Sequence, residues 1–245
     1  HCPHDICRKA LVDPSYRRTR ASILVQTKNS NILIDTSQDF FQQVLQNRVK
    51  RIDAILYTHA HADHIFGLPD LRSYCRRQNG PIDMYASTQT LQTIKETFGY
   101  IFDPPEFVGG GIPSVRTHSL EQTQRIGGLM VTPLPVEHGS ARGCQGYRLD
   151  DLAYIPDVHT IPATTLAKLT DLDLLILNCL RLRRHGSHLS LEESLAYAQQ
   201  LRPRRCCFTH MTHDIDYRIE QEKLPEWIRF AQDGLVVEVD GGRED

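Results

Sequence analysis

The chain has 245 residues, of which 28 are basic and 30 are acidic, so its formal net charge is −2. Hydrophobic residues make up 40% and charged residues 24%, which is the balance of a soluble globular protein with one α/β domain or two small ones. No run of about 18 apolar residues occurs, which excludes a membrane-spanning helix. The near-zero charge argues against a large surface that follows nucleic-acid phosphates, because such a surface needs clustered Lys and Arg.

The composition includes 12 histidines and 7 cysteines. Cys144, Cys179, Cys206 and Cys207 lie in apolar, strand-like segments, and we expect them as reduced thiols in the core. The sequence has no secretory signal, and it begins with His1 instead of Met, which indicates a clipped amino terminus. We therefore expect a cytoplasmic protein.

In the first half of the chain, short β-rich runs alternate with helical patterns. Residues 22–26 and 31–35 predict a hairpin around the turn 28–30. The elements expected next are a helix at 39–49, strands at 52–57 and 82–86, a helix at 67–77, and a helix at 87–98 with Ser87 as its N-cap. Residues 103–113 contain three prolines and three glycines, which predicts a long loop.

The second half repeats this alternation. Its expected strands cover 129–136, 145–149, 153–155, 172–177, 205–208 and 235–239, and its expected helices cover 160–169 and 190–201. Ser190 and Glu193, three residues apart, have the spacing of a capping box. Because both halves share one pattern and no linker separates them, we predict a single layered α/β domain over 1–245, with two sheets inside and helices outside.

Four potential metal ligands follow the predicted buried strand 52–57: His59, His61, Asp63 and His64. Functional loops concentrate at strand ends, and alternation in an extended segment places His59 and His61 on the same side. Imidazole and carboxylate groups suit Zn, Mn or Fe. Four such groups within six residues indicate a metal site, whereas the alternative is a surface loop that is merely polar.

His138, Asp157 and His210 each follow another predicted apolar strand. Taken singly, each of these residues could equally be an ordinary polar residue at a strand end. Together with the first four, they supply about as many ligands as two metal ions need.

In type and order, these seven residues resemble the metal ligands of the metallo-β-lactamase superfamily, and the match extends over residues 23–240. The resemblance implies the αββα sandwich fold and two divalent ions, Mn²⁺ or Zn²⁺. One ion is expected on His59, His61 and His138, the other on Asp63, His64 and His210, with Asp157 shared by both. Asp35 falls where the family has a structural aspartate that supports the metal loop.

The amino-terminal segment 1–20 resembles one branch, the PhnP family of phosphoribosyl 1,2-cyclic phosphate phosphodiesterases. Family members begin with a strand and a glycine-rich turn, and this amino-terminal strand is expected to be missing here. The pattern Cys2-x-His4-x-x-Cys7 stands where the family has Cys-x-Cys-x-x-Cys, which holds a structural zinc with a late histidine. The resemblance therefore implies a structural Zn²⁺ on Cys2, Cys7 and His213, with His4 or an upstream cysteine as the fourth ligand. The alternative is a frayed terminus with free thiols.

His188 lies just before the predicted capped helix and matches the histidine that serves as general acid in the PhnP family. The tRNA 3′-processing nucleases carry a similarly placed histidine. The resemblance implies that Asp63 and His188 are catalytic, with metal-activated water attacking the phosphate and His188 protonating the departing sugar oxygen. Because an alkoxide is a poor leaving group, a general acid fits a phosphodiester better than a thioester or a lactam. The alternative is a surface histidine beside a helix start.

The expected function is metal-dependent hydrolysis of a small phosphodiester, such as a cyclic ribose phosphate. Two alternatives on the same fold stay open. A tRNA 3′-end endonuclease would need a basic exosite arm, which the sequence does not show, and a thioester or lactone hydrolase would not need His188. A non-enzymatic metal-binding module is a third class. The expected partner is a small-molecule phosphodiester, without membrane or nucleic acid, and a homodimer is the assembly to test.

Overall fold

The computed structural model describes residues 2–104 and 111–239. In chain order, its helices and strands are α1 (Asp5–Val12), β1 (Ile23–Gln26), β2 (Asn31–Ile34), α2 (Phe40–Gln46), β3 (Ala54–Leu56), α3 (Ala62–Ile65), α4 (Arg72–Gln78), β4 (Ile82–Ala86), α5 (Thr88–Thr97), α6 (Gly99–Phe102), β5 (Val115–Ser119), β6 (Gln124–Ile126), β7 (Leu129–Pro135), β8 (Gln145–Leu149), β9 (Leu152–Ile155), α7 (Ala163–Leu166), β10 (Leu174–Asn178), α8 (Leu191–Leu201), β11 (Arg205–Thr209), α9 (Tyr217–Glu220) and β12 (Ile228–Phe230).

The chain divides into two compact units. Unit 1 consists of His1–Thr19, Leu134–Ser140 and Gly146–Asp245, and unit 2 consists of Arg20–Pro133 and Ala141–Gln145. The organisation of the chain as one domain stays a prediction.

Unit 2 contains a five-stranded sheet in the order β1-β2-β3-β4-β5 and the antiparallel pair β6-β7. Strand β1 is antiparallel to β2, and the strands from β2 to β5 are parallel to one another. All three residues of β3 are buried, as expected for the interior of a parallel sheet. Because parallel strands end at the same edge, Asp35 after β2 and Thr58 after β3 lie at one edge of this sheet.

The turn after β3 carries the histidine motif, by which we mean His59, His61, Asp63 and His64. Backbone hydrogen bonds join this turn to the segment after β2. The backbone N–H of Thr36 donates to the carbonyl of His64 at 2.8 Å, and the N–H of Gly67 donates to the carbonyl of Thr36 at 2.9 Å. A Cβ atom at Gly67 would lie 2.3 Å from the Ser37 carbonyl oxygen, so this close backbone approach requires glycine. The core below consists of apolar side chains such as Phe40, which is 1% exposed.

Unit 1 contains strands in the order β12-β11-β10-β9-β8. In this sheet, the last residues of β7 lie next to β8. Strands β9 to β12 are parallel, and β8 is antiparallel to β9. The register pairs Ile155 with Leu177 and Asn178 with Thr209. Asp157, Asn178 and His210 therefore lie at the carboxyl edge of the parallel strands, where ligand sites of α/β sheets occur.

Several predicted elements are confirmed with close boundaries. The hairpin forms, the strand at 82–86 is correct, and the Ser87 side chain caps α5 by accepting from the Thr90 N–H. Both bonds of the capping box between Ser190 and Glu193 are present at the start of α8. Cys144, Cys179, Cys206 and Cys207 are buried thiols, as predicted.

Two predicted elements are wrong. Residues 235–239 form no strand, because this segment lies at the surface, with Val236 84% exposed, and the edge strand is β12 instead. The helix predicted at 160–169 is reduced to α7, because Pro162 has no N–H to bond within a longer helix. Residues 105–110 of the predicted loop lie outside the described residues. The sequence patterns missed α1, α3, α6, α9, β5, β6 and β12.

Among residues 2–104 and 111–239, no helix has the length and apolar character needed to cross a membrane.

Candidate metal sites

In unit 2, the four residues of the histidine motif lie between the end of β3 and the short helix α3. His59 and His64 are buried, whereas His61 is exposed and the Asp63 side chain is 36% exposed. The Nε2 atom of His59 lies 2.9 Å from Nδ1 of His61, and Nε2 of His64 lies 3.6 Å from Oδ2 of Asp63. The structure thus confirms that His59 and His61 face the same side, and it brings N and O ligand atoms together.

Asp35 supports this motif from beneath. Its Oδ1 accepts from the Thr58 N–H at 2.9 Å, and its Oδ2 accepts from the Thr58 hydroxyl at 2.9 Å and lies 2.8 Å from Nδ1 of His64. Burial raises the pKa of Asp35, while His64 and Thr58 act in the opposite direction. Because its oxygens face the loop and His64 Nδ1, Asp35 orients a candidate ligand through its second ring nitrogen.

In unit 1, His138, Asp157 and His210 follow β7, β9 and β11, as the sequence predicts. His138 and Asp157 are each 2% exposed. The Nε2 atom of His210 lies 3.1 Å from Oδ1 of Asp157. The Nδ1 atom of His138 lies 2.7 Å from the carbonyl oxygen of Ser187, which can only accept, so Nδ1 carries the proton and Nε2 has the lone pair.

His188 lies beside these residues in unit 1. Its Nδ1 atom is 3.1 Å from Oδ1 of Asp157, and its ring stacks on His210 with the centroids 5.1 Å apart. The ring also meets His138 edge to face, at 4.5 Å between centroids. The His188 side chain is 13% exposed, so it is not the loose surface histidine of the alternative interpretation.

A second group of candidate ligands in unit 1 joins the amino-terminal segment to the segment after β11. The ligand atoms of Cys2, Cys7 and His213 lie within 4.8 Å of one another. His4 contacts Cys2, with Nδ1 at 3.0 Å from Sγ, and its ring stacks on His213 at 3.9 Å between centroids. The four residues predicted from the resemblance are thus neighbours. Cys7 lies within helix α1, so residues 5–12 are not a frayed terminus.

The pKa values of the two thiols in this group are shifted in opposite directions. The backbone N–H of His4 lowers the pKa of the Cys2 thiol to about 7, and hydrogen bonds from the side chains of Cys7 and His4 act in the same direction. The hydrogen bond with Cys2 raises the pKa of the Cys7 thiol, with burial as a further cause. Cys2 is therefore ready to supply the thiolate that zinc requires.

These donor sets fit divalent metal ions. Metal-binding histidines usually donate their other ring N–H to a carboxylate or a backbone carbonyl, and His64 and His138 both have such a contact at Nδ1. The N and O donors of the histidine motif in unit 2, and those of His138, Asp157 and His210 in unit 1, suit Zn²⁺ or Mn²⁺. The S and N donors of the cluster around Cys2 and Cys7 suit structural Zn²⁺.

Sequence reasoning missed two residues that orient these groups. The Ser187 carbonyl could not have been found, because any residue can supply a backbone oxygen. Asn178 had a signal that was not used: it is a polar residue at the end of the buried apolar run Leu174–Asn178. A fully buried polar side chain at a strand end needs hydrogen-bond partners, which makes it a structural or functional candidate.

Comparison with known proteins agrees with this description. The beta-lactamase superfamily domain profile matches residues 30–211, so the chain belongs to the metallo-β-lactamase superfamily. The two sheets and their helices correspond to the fold of that superfamily, which confirms the predicted fold class. This fold implies divalent metal ions, and the described residues include the histidine and aspartate groups that could hold them.

Within this superfamily, the chain is similar to a diphosphatase of the PhnP family whose crystal structure is known. The two share 35% sequence identity with a TM-score of 0.88, over 98% of this chain and 91% of the other. The comparison bears out the resemblance to the PhnP family.

The chain is also similar in sequence to two curated proteins that carry other functional names. The octanoyltransferase of Porphyromonas gingivalis (strain ATCC BAA-308 / W83) is 32% identical over 243 residues, which are 98% of this chain and 48% of that protein. A ribonuclease Z of Bradyrhizobium sp. (strain ORS 278) is 33% identical over 85 residues, which are 33% of this chain and 28% of that protein. The chain thus spans half or less of the length of these curated relatives.

Proposed function

We propose that the chain is a metal-dependent phosphodiesterase that hydrolyses a small phosphodiester, such as a cyclic ribose phosphate. The observation that carries the proposal is the position of His188, 3.1 Å from Asp157 and stacked on His210. This position supports a role for His188 as a proton donor beside two candidate metal ligands. The similarity to a PhnP-family diphosphatase supports the same class of reaction.

The proposed active-site metals are two divalent ions, Mn²⁺ or Zn²⁺. Their proposed ligands are those of the superfamily motif: His59, His61, Asp63, His64, His138, Asp157 and His210. When bound, two such ions lower the pKa of a water molecule and neutralise negative charge on the phosphate. The support from this chain is the orientation of His64 and His138. Their Nδ1 atoms contact the Asp35 carboxylate and the Ser187 carbonyl, respectively, which leaves Nε2 as the proposed metal-binding atom.

His188 is proposed as the general acid. Both of its described polar contacts, with Asp157 and Asn178, are at Nδ1, so Nε2 lies on the opposite side of the ring and is the atom that donates to the leaving oxygen. Protonation of a departing alkoxide by a positioned side chain typically contributes about 10²–10⁴-fold to the rate. Asp63 is proposed as the catalytic carboxylate of the motif. Its role is to orient the attacking water molecule toward the phosphate.

Cys2, His4, Cys7 and His213 are proposed to hold a separate structural Zn²⁺. Their support is the proximity of three ligand atoms within 4.8 Å and the lowered pKa of the Cys2 thiol. Such a site would join the amino-terminal segment to the segment that follows the candidate ligand His210.

A second candidate function is tRNA 3′-end processing, favoured by the partial match to ribonuclease Z. That match covers one third of this chain. The near-zero net charge of the whole sequence speaks against a large phosphate-binding surface, so we place this function second.

The decisive experiment is a hydrolysis assay with protein reconstituted in Mn²⁺ or Zn²⁺. The substrates are a cyclic ribose phosphodiester, bis(p-nitrophenyl) phosphate, a phosphomonoester, a thioester and a precursor tRNA. We expect turnover of the two small diesters, loss of that activity in Asp157→Ala, and more than two metal equivalents per chain by elemental analysis.

Other results would overturn the proposal. Turnover of the thioester alone would identify the hydrolase of another class, and cleavage of the precursor tRNA with no activity on small diesters would favour the second candidate. About one metal equivalent in active protein would exclude the two-ion centre.

A further inference from the structure

Asn178 is a fully buried polar residue at the carboxyl end of β10, with 0% exposure. Its side chain contacts two segments. The Oδ1 atom accepts from the Leu189 N–H at 2.8 Å, and Nδ2 donates to the Pro156 carbonyl at 2.7 Å. Pro156 directly precedes Asp157 and Leu189 directly follows His188, so one amide joins the segments of both residues.

The orientation of this amide is fixed by its partners. A backbone N–H can only donate and a carbonyl can only accept, so the oxygen of Asn178 must face Leu189 and its nitrogen must face Pro156. Nδ2 also lies 3.3 Å from Nδ1 of His188. A general acid that donates from Nε2 carries a proton on Nδ1 as well, so Nδ1 donates to Asp157 and the amide of Asn178 packs against the ring without a hydrogen bond to it. Asn178 thus contacts the His188 ring on the side opposite to Nε2.

We propose that Asn178 is a positioning residue for His188. It fixes the distance between the His188 ring and the Asp157 segment, and its amide holds the Nδ1 side of the ring, which leaves Nε2 as the donor. An alanine at this position would leave the Leu189 N–H and the Pro156 carbonyl without these partners and would remove the packing of the amide against the ring, so the segments of His188 and Asp157 would be held together less firmly. This inference rests on the proposed role of His188 as general acid, and it adds a residue to which no family motif in the sequence points.

The test compares Asn178→Ala, His188→Ala and the double variant on two phosphodiesters. On a cyclic or alkyl diester, we expect Asn178→Ala to lower kcat at least about tenfold, within the range of general acid catalysis, with little change in KM. On bis(p-nitrophenyl) phosphate, whose leaving group departs without a proton, the loss should be less than about threefold. The double variant should lose no more than His188→Ala alone, because residues that act as one unit are not additive.

Ser194→Ala is the matched control. Ser194 is also fully buried, and its hydroxyl donates to the backbone carbonyl of Asn178 at 2.7 Å without touching the amide. We expect this variant to lower thermal stability while its preference between the two diesters stays unchanged. Asn178→Asp keeps the size of the side chain and an acceptor for the Leu189 N–H. If Asn178→Ala does not fold, Asn178→Asp takes its place in the same comparison of the two diesters.

A measurement apart from activity follows the hydrogen bonds themselves. Hydrogen exchange at the Leu189 amide should be slow in the unmodified protein and clearly faster in Asn178→Ala, with metal content equal in both. Equal losses of kcat on both diesters, additive losses in the double variant, or the same selectivity change in Ser194→Ala would each refute the positioning role. If the unmodified protein hydrolyses neither diester, the proposed function fails, whereas active protein with an insensitive Asn178 refutes this inference alone.

Discussion

Replacement of Asp35 by asparagine tests whether this buried carboxylate prepares His64 to bind a metal ion. Asp35 accepts on both oxygens, with the Thr58 N–H on Oδ1 and the Thr58 hydroxyl and His64 Nδ1 on Oδ2. Asparagine keeps the first acceptor but presents an NH₂ group, which only donates, in place of the second. The Thr58 hydroxyl can rotate to accept. His64 Nδ1 can accept only by giving up its proton, which then moves to Nε2, the atom proposed to bind metal.

The expected effect is on metal affinity more than on folding. Loss of an outer hydrogen bond of this kind typically lowers metal affinity about 10–100-fold, which is about 1.4–2.7 kcal/mol. Asp35 has a φ of 66°, and asparagine adopts this left-handed conformation more readily than most residues, so the variant adds little backbone strain. Asp35→Ala would instead leave three buried donors without this acceptor, at about 1–3 kcal/mol each, and is expected to unfold more easily.

Chelator competition on metal-stripped protein measures the affinity, and urea unfolding measures the stability. Asp83→Asn is the matched control, because Asp83 on β4 pairs with Nε2 of His118 at 2.8 Å outside the motif. We expect Asp35→Asn to bind the ions 10–100-fold more weakly and Asp83→Asn to bind them normally. If folded Asp35→Asn binds metal as tightly as the unmodified protein, either His64 is not a ligand or Asp35 does not set its tautomer.

Three further outcomes test other parts of the structure. His188→Ala should cut turnover of an alkyl diester about 10²–10⁴-fold, but that of bis(p-nitrophenyl) phosphate much less, with normal metal content; metal loss would instead make His188 a ligand. Cys7→Ser should remove one zinc equivalent and lower Tm while activity is partly kept, and unchanged zinc content in both Cys7→Ser and His213→Ala would refute the structural site. Ser190→Ala should destabilise α8 by about 0.5–2 kcal/mol in urea unfolding, because it removes the cap to Glu193, and an unchanged midpoint would contradict this reasoning.

The candidate ligands could be predicted from the sequence because each follows an apolar strand. Hydrophobic runs such as 54–56 mark buried parallel strands, and polar residues directly after them lie at the carboxyl edge of the sheet. His59 and Asp157 were found in this way. Asn178 was not, because a single amide at the end of an apolar run has no pattern of its own, and its partners are backbone atoms of residues 11 and 22 positions away.

The fold was predictable where local signals agree and was missed where they conflict. Ser87 and Ser190 mark helix starts through their own side chains, and both caps are present. Residues 235–239 have the composition of a strand, but Val236 is exposed, so no burial favours strand pairing. Strand β12 includes a charged residue between two buried ones, and its place at the sheet edge depends on pairing with β11, which the sequence does not show.

Backbone strain is present at two positions of the candidate site, Asp35 and His210. Asp35 follows β2 with a φ of 66°, and His210 follows β11 with a φ of 62°. A left-handed conformation costs a residue with a side chain about 1–2 kcal/mol, so it persists only where the surroundings fix it. Three hydrogen bonds fix Asp35, and His210 is held by its contact with Asp157 and by the Cys179 N–H, which donates to the carbonyl of Thr209. In each unit, a strained residue thus follows a parallel strand where the motif also places a candidate ligand or its support, and such sites in proteins are commonly functional.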